Sequence, residues 1–281
     1  MSGPDRVAAA FIAACFGELA ALKPGNVHRH APGHGMTVAD FVASAEAAAP
    51  ALAVPRASVG RRVLGAVEAT RAAVGQNTNL GIVLLCAPLA AAAERSGNAA
   101  DFWPTLHATL LNLTVEDARL SYRAIRLASP GGLGQSDEAD VAAEPSVTLL
   151  EAMRLAAWRD RIAWNYANGL ADVREVGLPR LDALSRAGWA EPWAVAGTYL
   201  AYLARIPDTH VARKFGTQAA EDLRVRAAAI EAGLLASPDP AVYRPDLLAF
   251  DAELKAAGLN PGTSADLTVA TLFARDLAAP A

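Results

Sequence analysis

Three short polar stretches of the chain carry residues that could bind a phosphorylated substrate and act on it. The first, residues 23–36, holds a lysine, an asparagine and three histidines around a Pro-Gly pair that favours a turn. The second, residues 208–214, runs from an aspartate to two adjacent basic residues. The third, residues 260–266, places glycine, threonine and serine before an aspartate. We interpret the first stretch as half of an active site and the other two as candidate phosphate sites.

Individual residues in these stretches suggest specific chemistry. Three lysines stand beside 22 arginines, so Lys23 and Lys214 suggest positions where a compact point charge is needed. The Gly262-Thr263-Ser264 sequence could wrap an anion with backbone N–H and hydroxyl donors, and Asp266 could hold a magnesium ion that bridges phosphates. A further polar turn, residues 77–81, leads directly into an apolar run and is another candidate phosphate site.

Each of these features also has an explanation that needs no ligand. Thr263 and Ser264 could simply cap a helix, and Asp40, three residues after Thr37, fits a helix start in which Thr37 is the N-cap. The Gly131–Gly134 cluster lacks the spacing of a dinucleotide-binding loop and fits a simple connection.

The histidines of the first stretch raise the alternative of a metal site. His28, His30 and His34 could bind zinc, but a closed zinc site needs a fourth ligand and usually a tighter spacing. The sequence also lacks a Walker loop, a His-Glu-x-x-His motif, a Cys-x-x-Cys motif and a Gly-x-Ser-x-Gly elbow. These absences set aside several common enzyme classes.

The elements that must position these residues are helices. Alanine-rich apolar residues recur at helical spacing, and few alternating runs occur that would indicate strands. The polar stretches fall where one predicted helix ends and the next begins. The sequence therefore predicts an all-α fold: a single globular domain over residues 1–281, with about ten to twelve packed helices and an active site in helix-connecting loops.

Composition narrows the class of protein further. The 281 residues are 53% hydrophobic and carry a net charge of −4 with scattered basic residues, which argues against a nucleic-acid partner. The longest uncharged apolar run, Leu80–Ala93, is too short to span a bilayer, and the segment around Asp5 and Arg6 lacks a signal peptide pattern. Cys15 and Cys86 fit buried thiols in a reducing compartment. We expect a soluble cytoplasmic protein that binds no membrane, with a homodimer as one option.

Taken together, four motifs resemble the triphosphoribosyl-dephospho-CoA synthase family. They follow one another in the family's order, and the resemblance runs from about residue 8 to residue 275. The motifs are Lys23-Pro24-Gly25-Asn26-Val27, Asn77-Thr78-Asn79-Leu80-Gly81, Asp208-Thr209-His210 with its following basic pair, and Asn260-Pro261-Gly262-Thr263-Ser264-Ala265-Asp266-Leu267. The resemblance implies an all-α transferase that takes ATP and Mg²⁺. Such an enzyme moves the 5-triphosphoribosyl group to the 2′-hydroxyl of dephospho-CoA and releases adenine.

The resemblance and the chemistry together suggest a role for each candidate residue. We expect Asp40 or Asp208 to be the catalytic base, and Asp40, Asp208 and Asp266 to be the candidate metal ligands. We expect phosphate and ATP to contact Lys23, Gly25, Asn77, Thr78, Arg213, Lys214, Gly262, Thr263 and Ser264. We expect ribose or the acceptor to contact Asn26, His28, His34, Asn79 and His210.

Two departures from the family pattern keep other functions open. Asn79 and Leu80 stand where the family usually has His-Lys, and Gly35 stands where an acidic residue usually precedes Met36. One alternative is a related ribosyl transferase that forms an α-riboside on another hydroxyl acceptor, such as a pterin cofactor precursor. Another is a non-catalytic nucleotide-binding protein. A single in-line displacement on ATP, whose adenine is β-linked, would in each catalytic case give an α-linked product.

Overall fold

The computed structural model describes residues 3–129, 140–237 and 239–279, and within them every regular element is helical. This confirms the predicted all-α class, with fourteen α-helices in the described residues rather than ten to twelve. The glycine cluster at residues 131–134 lies outside the described residues. The helices are α1 (Gly3–Ala20), α2 (Val38–Leu52), α3 (Val59–Val74), α4 (Leu80–Arg95), α5 (Phe102–Leu111), α6 (Val115–Ala128), α7 (Leu149–Ala156), α8 (Arg161–Ala167), α9 (Leu178–Arg186), α10 (Glu191–Arg205), α11 (Thr209–Phe215), α12 (Thr217–Ala236), α13 (Arg244–Ala256) and α14 (Gly262–Ala278).

Three short helical segments accompany these helices. Two are 3₁₀ turns, at Ala99–Asp101 and Pro240–Tyr243, and one is a π-helical stretch at Val173–Gly177. Within the described ranges, no helix is both long enough and apolar enough to cross a membrane.

The chain forms two compact units, each built from non-consecutive segments. The first unit contains Met1–Ala14, Val42–Leu170 and Phe273–Ala281, and the second contains Cys15–Phe41 and Ala171–Leu272. The prediction of a single domain over residues 1–281 stays a prediction.

Helix α4 is the most buried element of the first unit. Ile82, Leu85, Cys86 and Leu89 are almost fully buried, which explains the long apolar run. The buried hydroxyl of Tyr166 donates to the carbonyl of Leu84 at 2.7 Å. Apolar burial of this extent is the main stabilising term for such a helix.

Side-chain caps define several helix starts. Thr114 and Asp117 form a reciprocal capping box at the start of α6, and Asp160 caps α8 by accepting from the N–H of Ala163. At the start of α2, Asp40 accepts from the N–H and hydroxyl of Thr37, and its own N–H donates to that hydroxyl. The capping interpretation of Asp40 is therefore confirmed.

Helix α10 lies at the centre of the second unit. Tyr199 and Tyr202 are fully buried on it, and each phenol finds a hydrogen-bond partner. Tyr199 donates to the carbonyl of Pro24 at 2.7 Å, and Tyr202 pairs with the hydroxyl of Thr271 at 2.6 Å. A buried tyrosine needs such a partner because an unpaired hydroxyl is costly in an apolar interior. The Tyr199 bond holds the turn at Pro24 against the core of the unit.

Candidate functional site

The loop after α1 is shaped by two consecutive two-residue turns. His28 and Ala31 pair across the first turn, and Gly33 and Met36 pair across the second, each through two backbone hydrogen bonds. In the second turn His34 has φ +56° and Gly35 has φ +75°, which is the pattern of a type I′ turn. The Nε2 atom of His34 lies 2.8 Å from the carbonyl oxygen of Gly25, so the tip folds back over the loop.

Lys23 forms a buried ion pair with Glu18. Its ammonium group donates to the Glu18 carboxylate and, at 3.2 Å, to the side-chain oxygen of Asn26. Lys23 is 0% exposed and Glu18 is 3% exposed. Burial lowers the pKa of Lys23 and raises the pKa of Glu18, while the opposite charge of each partner works against these shifts. The phosphate contact predicted for Lys23 stays a prediction, and this geometry does not support it.

The first and last motifs meet through Asn26 and Asn260. The Asn26 side-chain amide donates to the Asn260 side-chain oxygen at 2.8 Å. Nearby, Gly25 has φ +82°, and a Cβ added there would lie 2.8 Å from Cδ of Pro261. Only glycine combines this backbone conformation with such a close approach. The Pro-Gly-Asn and Asn-Pro-Gly sequences therefore form one packed junction in the second unit.

Asp251 organises the other side of this loop. One carboxylate oxygen accepts from the Gly25 N–H at 2.9 Å, and the other lies 3.3 Å from His28 Nε2 and 3.0 Å from Lys255 Nζ. Burial raises the pKa of Asp251, but these donors outweigh that effect and lower it below its usual value. The carboxylate is therefore ionised at neutral pH.

His28 is held as a neutral imidazole within this cluster. Its Nδ1 accepts from the backbone N–H of His30 at 3.2 Å, so the ring proton belongs on Nε2, facing Asp251. Burial lowers the pKa of His28, although the Asp251 carboxylate opposes the shift. Because both ring nitrogens of His28 are engaged, the side chain positions the loop. The contact with ribose or acceptor predicted for His28 stays a prediction.

Asp208 joins the starts of two helices. One carboxylate oxygen accepts from the N–H groups of His210 and Val211, which caps α11. The other accepts from the N–H of Ser264 at 2.8 Å and from its hydroxyl at 2.9 Å, in the first turn of α14. Burial raises the pKa of Asp208, and the four donors oppose that shift. This carboxylate is fully engaged in holding the two helix starts together.

Thr263 also faces α11 rather than a ligand. Its hydroxyl accepts from the His210 N–H at 3.2 Å and lies 3.1 Å from the hydroxyl of Thr209. Both Thr263 and Ser264 are buried. Thr263 thus adds to the cap of α11, whereas the Ser264 hydroxyl donates to Asp208 and caps no helix, and the phosphate role predicted for both residues stays a prediction.

His210 packs against the first residue of α14. A Cβ added to Gly262 would lie 2.7 Å from His210 Nδ1, so the glycine makes room for the imidazole. Burial, followed by the charges of Lys214, Arg213 and His34, lowers the pKa of His210 to about 3. The ring is neutral at pH 7, and its Nε2 is one of two buried side-chain atoms without a hydrogen-bond partner in the described part of the chain.

Two basic residues follow His210 on α11. Lys214 is exposed and Arg213 is half-buried, and both charges act on the His210 ring. Of the predicted phosphate contacts in the second unit, these two present their cationic groups nearest to solvent.

The turn at residues 77–81 belongs to the first unit. The Asn77 side chain accepts from the Leu80 N–H at 3.2 Å, and the Thr78 hydroxyl lies 2.6 Å from that of Ser44. The Asn79 amide donates to the Thr70 hydroxyl at 2.9 Å, so it ties the start of α4 to α3. These contacts are structural, and the roles predicted for the three residues toward ATP and ribose stay predictions.

The three aspartates predicted to hold metal do not form a preformed metal centre. Asp208 has both oxygens occupied by N–H and O–H donors, and Asp40 caps α2. Asp266 is half-buried in the second turn of α14, where its charge acts on Lys23. Across the described ranges, no three His, Cys, Asp or Glu side chains are grouped as a metal site would require. The residues do not fit a Mg²⁺ site built by the protein alone.

Four residues of this network were not predicted as site residues: Glu18, Asp251, Lys255 and Asn260. Lysine is rare in this chain, and that rarity was the reason to single out Lys23 and Lys214. The same reasoning applied to Lys255, the third lysine. Asn260 stood within a recognised motif. Asp251 and Lys255 are four residues apart on α13, a spacing that usually indicates a solvent-exposed pair. Sequence alone gave no sign that Asp251 is buried and Lys255 half-buried.

The comparisons with known proteins agree with the all-α fold and with the family resemblance of the four motifs. The family model for ATP:dephospho-CoA triphosphoribosyl transferase matches residues 4–281. A Stutzerimonas stutzeri protein, provisionally named 2-(5″-triphosphoribosyl)-3′-dephosphocoenzyme-A synthase, is 36% identical over 107 residues, which cover 38% of this chain and only 36% of that protein's length. A crystal structure from Archaeoglobus fulgidus, provisionally named triphosphoribosyl-dephospho-CoA synthase, superposes with a TM-score of 0.65 at 25% identity. It covers 86% of this chain and 99% of its own. The chain belongs to the ATP:dephospho-CoA triphosphoribosyl transferase family.

Proposed function

We propose that this protein transfers the 5-triphosphoribosyl group of ATP to the 2′-hydroxyl of 3′-dephospho-CoA. The bond between ribose C1′ and adenine N9 breaks, and a bond forms between C1′ and the acceptor oxygen. The hydroxyl proton passes to a base, and adenine leaves with the electron pair of the broken bond and takes up a proton. Displacement from the face opposite adenine gives the α-linked product.

The observation that carries this proposal is the convergence of three family motifs in the second unit. Residues 23–27, 208–210 and 260–267 are joined by the Asn26–Asn260 and Asp208–Ser264 hydrogen bonds. Segments so far apart in sequence meet with their polar side chains paired and their glycines at close contacts. Such a preorganised framework suits a reaction in which positioning supplies much of the rate.

The phosphates bind, in this proposal, at the exposed basic side of α11. Arg213 and Lys214 supply the charge, and the neutral His210 ring lies close to both of them and to His34. Lys23 is 0% exposed, so we assign it to positioning Asn26 rather than to direct phosphate contact. A mobile triphosphate chain requires several donors, and Arg213 with Lys214 provides both a planar fork and a point charge.

Asp40 is the base in this proposal. Its contacts with the backbone and hydroxyl of Thr37 lower its pKa and fix its orientation, so the carboxylate is ionised and takes the acceptor hydroxyl proton through its position rather than through high basicity. Asp208 is a positioning residue because its oxygens already accept four hydrogen bonds. No step is assigned to Mg²⁺; an ion bound to the triphosphate would be carried by the substrate, with few protein ligands.

The cysteines support a proposal for the compartment. Cys15 and Cys86 are both buried, and neither forms a disulfide. Burial raises the pKa of the Cys15 thiol, which keeps it unreactive. Free cysteines are usual in a reducing compartment, so we propose that the reaction takes place in the cytoplasm.

The test is release of adenine, measured by chromatography with ATP and Mg²⁺ in the presence and absence of dephospho-CoA. Adenine that appears only with dephospho-CoA, together with a product of the summed mass, supports the proposal. ATP binding without adenine release would show a non-catalytic nucleotide-binding protein. Adenine release with another hydroxyl acceptor, such as a pterin precursor, but none with dephospho-CoA would move the protein to the alternative riboside-forming reaction.

A further inference from the structure

We propose that Arg29, His30 and Arg244 form a second anion site, which takes the diphosphate of 3′-dephospho-CoA. The inference rests on the proposed function, in which the protein holds two polyphosphate compounds at once. The basic side of α11 serves the triphosphate of ATP. The acceptor needs cations of its own, because two negatively charged groups at one cationic cluster would repel each other. All three residues lie outside the four motifs.

The loop after α1 brings Arg29 and His30 to the surface from an anchored backbone. Both residues are exposed, whereas residues 21–28 are all buried. The Arg29 N–H donates to the carbonyl of Leu19 at 2.8 Å, and the His30 N–H donates to Nδ1 of the buried His28 at 3.2 Å. The rings of His28 and His30 are tilted against each other, with centroids 5.8 Å apart. The two exposed side chains therefore begin at fixed positions beside the first motif.

Arg244 reaches the same region from the first residue of α13. It is exposed, and its guanidinium carbon lies 5.2 Å from the centroid of the half-buried Trp193 ring, which supports the side chain. Arg244 precedes Asp251 by seven positions, so the two residues share one face of the helix. Asp251 is the carboxylate that contacts His28. The helix face that holds the loop at His28 therefore also carries Arg244.

The three basic groups are held together without a carboxylate between them. Burial lowers the pKa of His30, and neighbouring positive charges, those of Arg244 and Arg29 among them, add to the shift. Neither arginine forms an ion pair with any residue that the structure describes. Asp246 is two positions from Arg244 on α13, a spacing at which side chains do not face each other. Like charges gathered in this way attract a counter-ion, and a bound anion relieves their repulsion.

The donors of this cluster suit a diphosphate. Each guanidinium can give two parallel hydrogen bonds to one phosphoryl group, and the neutral His30 ring adds an N–H. The same loop, through His34, also comes close to His210 on α11. One loop therefore adjoins both cationic clusters, as two substrates that react with each other require.

An exposed arginine without an ion pair would not carry this inference alone. Arg71 and Arg154 of the first unit are also exposed, and neither pairs with a described residue. Each of them, however, follows a glutamate by three positions on its helix, Glu68 and Glu151, so an acidic group is nearby. The double variant Arg71→Gln/Arg154→Gln is therefore a charge-matched control for Arg29→Gln/Arg244→Gln.

The experiment measures dissociation constants for dephospho-CoA and for ATP by calorimetry. Arg29→Gln/Arg244→Gln should bind dephospho-CoA at least about tenfold more weakly, because two charge-assisted contacts are lost. Its affinity for ATP should change by less than about twofold, since salt screens the more distant charge. The control Arg71→Gln/Arg154→Gln should bind both compounds as the unmodified protein does.

The two compounds distinguish the source of the bound phosphate. A loss confined to ATP would place the triphosphate at this site and overturn the inference. Equal weakening of both compounds, unchanged binding of dephospho-CoA, or an unmodified protein that does not bind dephospho-CoA would also overturn it. Adenine release by the unmodified protein is scored separately. Selective loss of dephospho-CoA binding in a protein that never releases adenine would refute the proposed function and leave the inference standing.

Discussion

The carboxylate of Asp208 accepts both the backbone N–H and the hydroxyl of Ser264, at 2.8 and 2.9 Å. Because its second oxygen caps α11, one buried side chain sets the relative position of two helix starts. The anion-binding capacity of the α14 start is thus used internally, by a carboxylate of the same unit rather than by a phosphate.

Asp208→Asn should lower the free energy of unfolding by roughly 2–3 kcal/mol, since an amide group would face donors that now bind a carboxylate oxygen. Denaturant unfolding measures this change. Asp222→Asn is the control, because Asp222 accepts a hydrogen bond from Gln218 at the exposed surface. A loss below about 0.5 kcal/mol at Asp208 would contradict the positioning role.

Lys23→Met should destabilise the protein by about 3–5 kcal/mol, because Glu18 would be left charged and buried without its partner. Combining it with Glu18→Gln should restore most of that loss. Urea titrations of the single and double variants measure the coupling. Arg186→Met, which breaks an exposed pair with Asp182, should cost less than about 1 kcal/mol.

The same double variant separates the two possible roles of Lys23. If Lys23 only positions Asn26 and neutralises Glu18, the refolded double variant should still bind tripolyphosphate within a few-fold of the unmodified protein. A stable double variant that no longer binds tripolyphosphate would instead establish direct phosphate contact by Lys23.

Gly262→Ala should destabilise the protein by about 1–3 kcal/mol, because the new Cβ would meet the imidazole of His210. Adding His210→Ala removes the ring, so the glycine substitution should then cost much less. Gly3→Ala is the control, because no atom lies within 4 Å of the position of a Cβ there. Equal effects of Gly262→Ala with and without His210 would rule out this packing explanation.

Acidification from pH 7.5 to 5 should destabilise the protein through His210. The pKa of His210 is about 3 in the folded protein and about 6.5 in the unfolded chain, so the unfolded chain binds more protons in this window. The free energy of unfolding therefore decreases as the pH is lowered from 7.5 to 5. His210→Asn should lose less stability over the same range, by roughly 1–2 kcal/mol. Unfolding free energies at the two pH values test this, with His107→Asn on α5 as the control. Parallel curves for His210→Asn and the unmodified protein would refute the shift.

Helical periodicity and capping patterns were sufficient to predict the fold class. Thr37 with Asp40 and Thr114 with Asp117 follow local rules that involve only three-residue spacings, so sequence alone specifies them. The polar stretches around Lys23, Asp208 and Ser264 were also recognisable, because Gly, Pro and polar residues at helix ends are unusual for a purely structural connection.

Burial and long-range pairing could not be predicted from local sequence patterns. Lys23 was expected to face a ligand, but Glu18 at the end of the preceding helix takes up its charge. Asp251 and Lys255 fit a solvated helix pair by spacing, but Asp251 is buried and Lys255 is half-buried, because the loop at Gly25 and His28 packs against Asp251. Such outcomes depend on which segments pack together, and a local pattern carries no information about that.

The hydrogen bond from Asn26 to Asn260 joins residues 234 positions apart. During synthesis, the loop that follows α1 emerges long before the segment that completes it. The contacts of Gly25 with Asp251 and of Asn26 with Asn260 therefore form only after these distant partners have left the ribosome. Closing so long a loop is slow, and it makes assembly of this region a late event in folding. A chain truncated before residue 260 would thus leave the N-terminal half of the junction unpaired, however well its earlier helices had formed.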